Sequence, residues 1–194
     1  MNTTTIRRFV SALTLGLFFA ATPGKTSAQT TYVPYSYSDY GHTWNIGVGP
    51  GYFGRSFLRS PYLTVNYEFD VANNFTIAPF IGFSSFRSNP LPWSNGYYRY
   101  RGTIVPVGAK ASYYFDDVLE LPANWDIYAA ASLGAIYVNK RWEEGYTGRT
   151  GDIPGVNPVY VDLHIGAEYH VNDATGIFVD LSGNVSTIGV ALHR

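Results

Sequence analysis

Four side chains able to bind a metal or move a proton share one face of a short stretch: Asp162, His164, Glu168 and His170. Imidazoles and carboxylates are the usual ligands of a divalent metal and the usual partners in general acid–base catalysis. In an extended chain rising ~3.3 Å per residue, however, His164 and His170 lie roughly 20 Å apart. One ion cannot hold both, so hydrogen-bonded interior histidines are the expected reading. Nucleophilic catalysis needs a serine oriented by a histidine and an acid. The chain has no Gly-x-Ser-x-Gly element, and no serine sits two residues from a histidine. Ser112, Ser132 and Ser182 therefore read as packing or interior residues. With no cysteine in the chain, disulfides and thiolate metal sites are excluded. No catalytic residue, metal ligand or cofactor is assigned.

The element that carries these residues is read from its alternation. Val159, Val161, Leu163, Ile165, Ala167 and Tyr169 interleave with Tyr160, Asp162, His164, Gly166, Glu168 and His170. Successive side chains of a strand point to opposite faces, so the segment has one apolar and one polar wall. Leu63 to Phe69, Trp44 to Tyr52 and Thr103 to Phe115 repeat the pattern. Segments 75–85, 125–140, 175–182 and 185–192 follow it less strictly, giving eight candidate strands. Several exceed the ~5–6 residues of a typical globular strand and reach the ~9–11 that cross a bilayer at a tilt. The polar face gathers Glu68, Lys110, Asp126, Asp162, His164, Glu168 and Asp180, with His170. Charges of both signs on one wall are expected to pair with each other and plug a narrow interior.

Composition and the N-terminus point to the envelope. Arg7 and Arg8 precede an apolar run, Phe9 to Ala21, which gives way to small residues ending at Ala28. The run is shorter than the roughly 20 residues of a membrane helix, so residues 1–28 read as a cleaved signal peptide. Residues 29–42 then form a periplasmic lead-in and 43–194 the barrel domain. Without residues 1–28 the chain keeps 10 basic residues against 14 acidic ones, a formal charge of −4. Mild acidity excludes a nucleic-acid partner, which requires clustered Lys and Arg. Charged residues make up only 14% of the chain and aromatics 17%. A soluble domain carries about 25% charged residues.

The connections are of two kinds. Asp70 to Asn74, Asp116 to Asn124 and Val171 to Ala174 are compact, whereas 86–100 and 141–158 are long and rich in Gly, Pro and Tyr. Short turns at one end and long loops at the other suit an outer-membrane barrel. Strand register places Trp44, Phe69, Phe75, Phe115, Trp125 and Tyr169 outward at one level, with Tyr52, Phe83 and Tyr137 at the other. Two such girdles are what rings seeking the headgroup zone produce. The expected fold is all-β: an eight-stranded antiparallel, up-and-down transmembrane barrel.

The signal peptide, the stretch Val105-Pro-Val-Gly-Ala-Lys-Ala-Ser-Tyr-Tyr-Phe115 and the closing Ile188-Gly-Val-Ala-Leu192 make the chain resemble the small outer-membrane β-barrel family of the OmpX, OmpW and opacity-protein kind. The ending Leu192-His193-Arg194 departs from the aromatic terminus usual there. The resemblance implies an outer-membrane location, insertion by the barrel-assembly machinery, and lipid and lipopolysaccharide as neighbours. It also implies a role as envelope stabiliser, adhesin or narrow pore. Trp93, Tyr97, Arg99, Arg101 and Trp142, in the long loops, are of types that dominate binding hot spots. They read either as contacts for an extracellular ligand or as lipid and lipopolysaccharide anchors. A non-enzymatic envelope or adhesive barrel is the leading expectation. A narrow pore for small or apolar solutes, a lipid-modifying hydrolase and a soluble carrier are the alternatives.

Overall fold

The computed structural model describes residues 42–52, 60–88, 90–93, 96–143 and 157–194. The signal peptide and nearly all of the lead-in expected at the N-terminus lie outside these residues. Among the described residues, ten strands and one helical turn follow in order: β1 Thr43–Gly51, β2 Ser60–Ala72, β3 Phe75–Arg87, β4 Leu91–Trp93, β5 Gly96–Tyr98, β6 Tyr100–Tyr114, α1 Asp116–Leu119, β7 Trp125–Trp142, β8 Val159–Asn172, β9 Thr175–Ser182 and β10 Thr187–Leu192.

Eight of the strands close on themselves in the order β1-β10-β9-β8-β7-β6-β3-β2. Every pair is antiparallel, and the seam joins Trp44 to Leu192 and Val48 to Ile188. Closure removes both sheet edges, so the backbone groups of these strands find partners within the chain. The alternation read from the sequence thus becomes an inside and an outside. On β1, Thr43, Asn45 and Gly47 are buried while Trp44, Ile46 and Val48 are exposed. On β8, Tyr160, Asp162 and Glu168 are buried while Leu163 is 73% exposed.

Local chemistry sets the turns. Asn74 adopts a left-handed conformation at φ 57° between β2 and β3, which asparagine tolerates better than most residues. The Asn172 side chain accepts the N–H of Ala174 at 3.0 Å and tightens the β8–β9 turn. Register shifts at Asp70/Ala72 and His170/Asn172 mark the same end of the barrel. The connection after β6, expected to be compact, contains α1, and Asp116 Oδ1 accepts the N–H of Ile127 at 2.9 Å.

Three sequence expectations need correction. Residues 86–100 are not a continuous loop. Strand β3 runs on to Arg87, β4 and β5 form a small hairpin, and β6 begins at Tyr100. Arg141 and Trp142, assigned to the next loop, complete β7. The last strand starts at Thr187 rather than 185, because Val185 makes only an isolated bridge to Gly51.

The interior is filled rather than hollow. Rings from one strand lie over glycines of the next. A Cβ on Gly82 would fall 1.9 Å from the Tyr62 hydroxyl, and one on Gly166 would fall 2.4 Å from that of Tyr128. Tyr114 and Tyr128 pack at a tilt, 5.5 Å between centroids, and are buried with Ala130. Eight strands enclose about the width that side chains can fill.

Candidate functional site

The interior polar residues sort into three clusters along the barrel. Nearest the long loops, Asp162 accepts hydrogen bonds from the Tyr160 hydroxyl at 3.2 Å and the Ser182 hydroxyl at 2.7 Å. It also accepts the N–H groups of Gly183 and Asn184 at 3.1 and 3.2 Å. Asp162 therefore organises the β9–β10 connection.

At mid-height Asp180 is the hub. The Tyr128 hydroxyl donates to Oδ2 at 2.9 Å, and Lys110 Nζ lies 3.5 Å from the same oxygen. Lys110 also sits 4.9 Å from the centre of the Tyr128 ring. His164 Nδ1 lies 2.7 Å from Asp180 Oδ1, and its Nε2 lies 2.9 Å from Ser132 Oγ. The acid that meets Lys110, undetermined by the sequence, is Asp180.

Ser132 lies in the interior, as read from the sequence, and it has partners there. Ser132, His164 and Asp180 stand in the order of a nucleophile, base and acid, although no local spacing announces it. The arrangement follows from register. β7 pairs Ala130 with His164 and Ser132 with Asp162, which sets His164 diagonally beside Ser132 on the inner face. Ser112, by contrast, is fully buried and its hydroxyl has no hydrogen-bond partner. A proton can pass from Ser132 to His164, but acyl transfer also needs donors for an oxyanion. At Ser132 the β7 backbone is laddered on both sides, to Lys110 and Asp162. The adjacent cavity is only about 40 Å³.

At the short-turn end lie the remaining predicted residues. His170 Nε2 is 2.6 Å from Asp126 Oδ2. Glu168 Oε1 is 2.7 Å from Nε2 of His193, whose Nδ1 is 2.9 Å from the Thr43 hydroxyl. Glu68 accepts from Tyr114 at 2.8 Å, from Asn45 at 3.0 Å and from Thr76. His164 and His170 bond to different carboxylates, as their separation required. His193 was missed, yet its signal was present. Thr187, Gly189 and Ala191 share the inner parity of β10, and one more step of two reaches His193.

The girdle residues sit as a ring at this same end. Trp44 packs on Tyr67 at 4.9 Å and Trp125 on Tyr169 at 5.1 Å, while Tyr113 lies 5.0 Å from Phe115. Phe69 and Phe75 are half-buried on the neighbouring strands β2 and β3.

At the long-loop end, Tyr97 is exposed on β5 and Arg99 is exposed beside it. Trp93 ends β4. Trp142 is partly covered and meets Tyr100 edge-on at 5.6 Å. Arg101 and Arg87 both bind Glu143, the former at 3.0 Å. The hydrogen bond from Arg87 is the chief cause that holds the Glu143 carboxyl below its ordinary pKa. Desolvation opposes it, and Arg101 adds to it.

No protein-family model and no curated protein matches the chain. Among solved structures it is similar to a de novo designed transmembrane β-barrel, 14% identical with a TM-score of 0.44, over 78% of this chain and 95% of that one. It is also similar to the outer membrane protein Ail of Yersinia pestis in a phospholipid bilayer nanodisc, 12% identical with a TM-score of 0.36, over 77% and 96%. Ail in complex with the heparin analogue sucrose octasulfate gives 12% identity and a TM-score of 0.35, over 77% and 92%. The chain's own residues carry the functional reading.

Proposed function

We propose that this protein crosses the bacterial outer membrane as a closed, side-chain-filled barrel. We propose further that it serves the envelope without catalysis, as a structural or adhesive component of the OmpX, OmpW and opacity kind. One observation carries the reading: all eight barrel strands expose large apolar residues on the outer wall. They include Ile46, Leu63, Phe83, Tyr113, Leu133, Leu163, Val179 and Ile188. A monomeric soluble protein seldom exposes a contiguous apolar patch beyond a few hundred Å². From Trp125 to Tyr137 on β7, at ~3.3 Å per residue and a tilt near 40°, the belt is roughly 30 Å tall, the thickness of a hydrocarbon core. A cavity of about 40 Å³ holds a water or two and supports a plug rather than a pore.

The working surface in this reading is the long-loop end, 86–100 and 141–158. There Tyr97, Arg99, Arg101 and Trp142 face an extracellular ligand or the phosphates of lipopolysaccharide. Bilayers with brominated acyl chains test the membrane part. In a Trp93→Phe/Trp142→Phe variant, the remaining fluorescence of Trp44 and Trp125 should be quenched strongly. Emission insensitive to bromine would mean that the belt meets water.

A second reading, hydrolysis of a small ester, is favoured by the Ser132–His164–Asp180 arrangement alone. A fluorophosphonate separates the two. The envelope reading expects Ser132 to stay unmodified, because a tetrahedral adduct there has little room and poor oxyanion support. An adduct found at Ser132 by mass spectrometry would put the hydrolase first.

A further inference from the structure

The short-turn end of the interior is richer in metal-binding chemistry than a hydrogen-bonded plug requires. Glu168, His170 and His193 bring three ligand atoms within 4.8 Å of one another. Asp126 adds a fourth oxygen, 2.6 Å from Nε2 of His170. Between them lies a cavity of about 20 Å³, bordered also by Thr43 and Tyr114. That is room for one water-sized occupant. We infer that this cluster is a binding site for a single first-row divalent cation, with zinc the best fit.

Three further features support it. Two imidazoles with carboxylates are a zinc-type donor set; bonds of about 2.0–2.2 Å space tetrahedral ligand atoms about 3.4 Å apart, so the widest pair here must close and the Glu168–His193 pair, at 2.7 Å, must open, each by roughly an ångström. The rings of His170 and His193 already lie side by side, 4.8 Å apart and tilted by 31°. Behind the site, the Thr43 hydroxyl holds His193 Nδ1 at 2.9 Å, the outer contact that fixes which ring nitrogen faces a metal. Gly176 makes the approach of Glu168 possible, since a Cβ there would fall 1.9 Å from Oε1.

Charge argues the same way. Among the described residues, the interior places the carboxylates of Glu68, Asp126, Asp162, Glu168 and Asp180 against the buried ammonium of Lys110, which is engaged at Asp180. A divalent cation at the short-turn end offsets the acids farthest from Lys110. It would also tie β8 to the segment after β10, across β9. The site stands on the interior geometry and not on what surrounds the barrel.

The test uses the chain refolded in detergent, stripped with a chelator, and titrated with Zn²⁺ by calorimetry and with Co²⁺ by visible absorption. One ion per chain and the intense bands of tetrahedral cobalt are expected. His170→Ala and His193→Ala should each weaken binding at least tenfold. His42→Ala should not, because His42 contacts Tyr67 outside the cluster. No binding, or binding undiminished in the His170 and His193 variants, overturns the site. Gel mobility of the same samples before boiling reports the barrel separately. If either variant fails to fold, the imidazole signals of the unaltered protein decide. Zinc must shift those of His170 and His193 and spare that of His164, and the reverse overturns the proposal.

Discussion

Asp180 shows how much one interior residue organises. Its two oxygens take the Tyr128 hydroxyl, the Lys110 ammonium and the His164 ring, which in turn holds Ser132. Asp180→Asn would keep the shape and leave Lys110 buried without an anion. Removing one partner of a buried pair costs about 3–5 kcal/mol, more than the pair itself contributes over an apolar replacement. The urea midpoint of the refolded barrel should fall accordingly, and an unchanged midpoint would mean that Lys110 finds solvent. At this scale the sequence was partly legible. The inward direction of Glu68, Lys110, Asp126, Asp162, His164, Glu168 and Asp180 follows from period two alone. Their partners do not, because partnership depends on cross-strand register, which spacing along one strand does not encode. Ser132 beside His164, and His193 beside Glu168, are both of that kind.

Among the elements, the long-loop end is held by a small ionic clasp. Glu143, just past β7, receives Arg87 from β3 and Arg101 from β6, and its N–H donates to Arg99 O at 2.9 Å. Its carboxyl is held below the ordinary value of 4.5, first by Arg87. A carboxyl lowered on folding stabilises the fold fully above its unfolded pKa and loses that contribution as pH falls through the folded one. Amide protection at Ser88 and Glu143 should therefore be constant at neutral pH and fall in acid, below the usual carboxylate range. Glu143→Gln should show the reduced protection at neutral pH already. Equal protection in the variant would show that backbone pairing alone holds this end. The strands themselves were legible to within a few residues, since a buried and an exposed wall dictate the alternation. The β4–β5 hairpin was not. Its strands are three residues each, too short for a period to register, and proline and glycine made the segment look like loop.

For the whole molecule, the central claim is that the apolar wall faces lipid and the polar wall is the core. A soluble barrel would reverse the two, and only closure makes the arrangement tolerable in hydrocarbon, where backbone groups find no water. The most direct measurement is electrophoresis of residues 29–194, refolded in detergent or lipid and run with and without boiling. A closed membrane barrel should migrate as a compact band until heated and then shift to the unfolded position, with no shift when detergent and lipid are withheld during refolding. A folded, soluble monomer in plain buffer, with the same mobility before and after boiling, would contradict the membrane assignment and favour a water-soluble carrier.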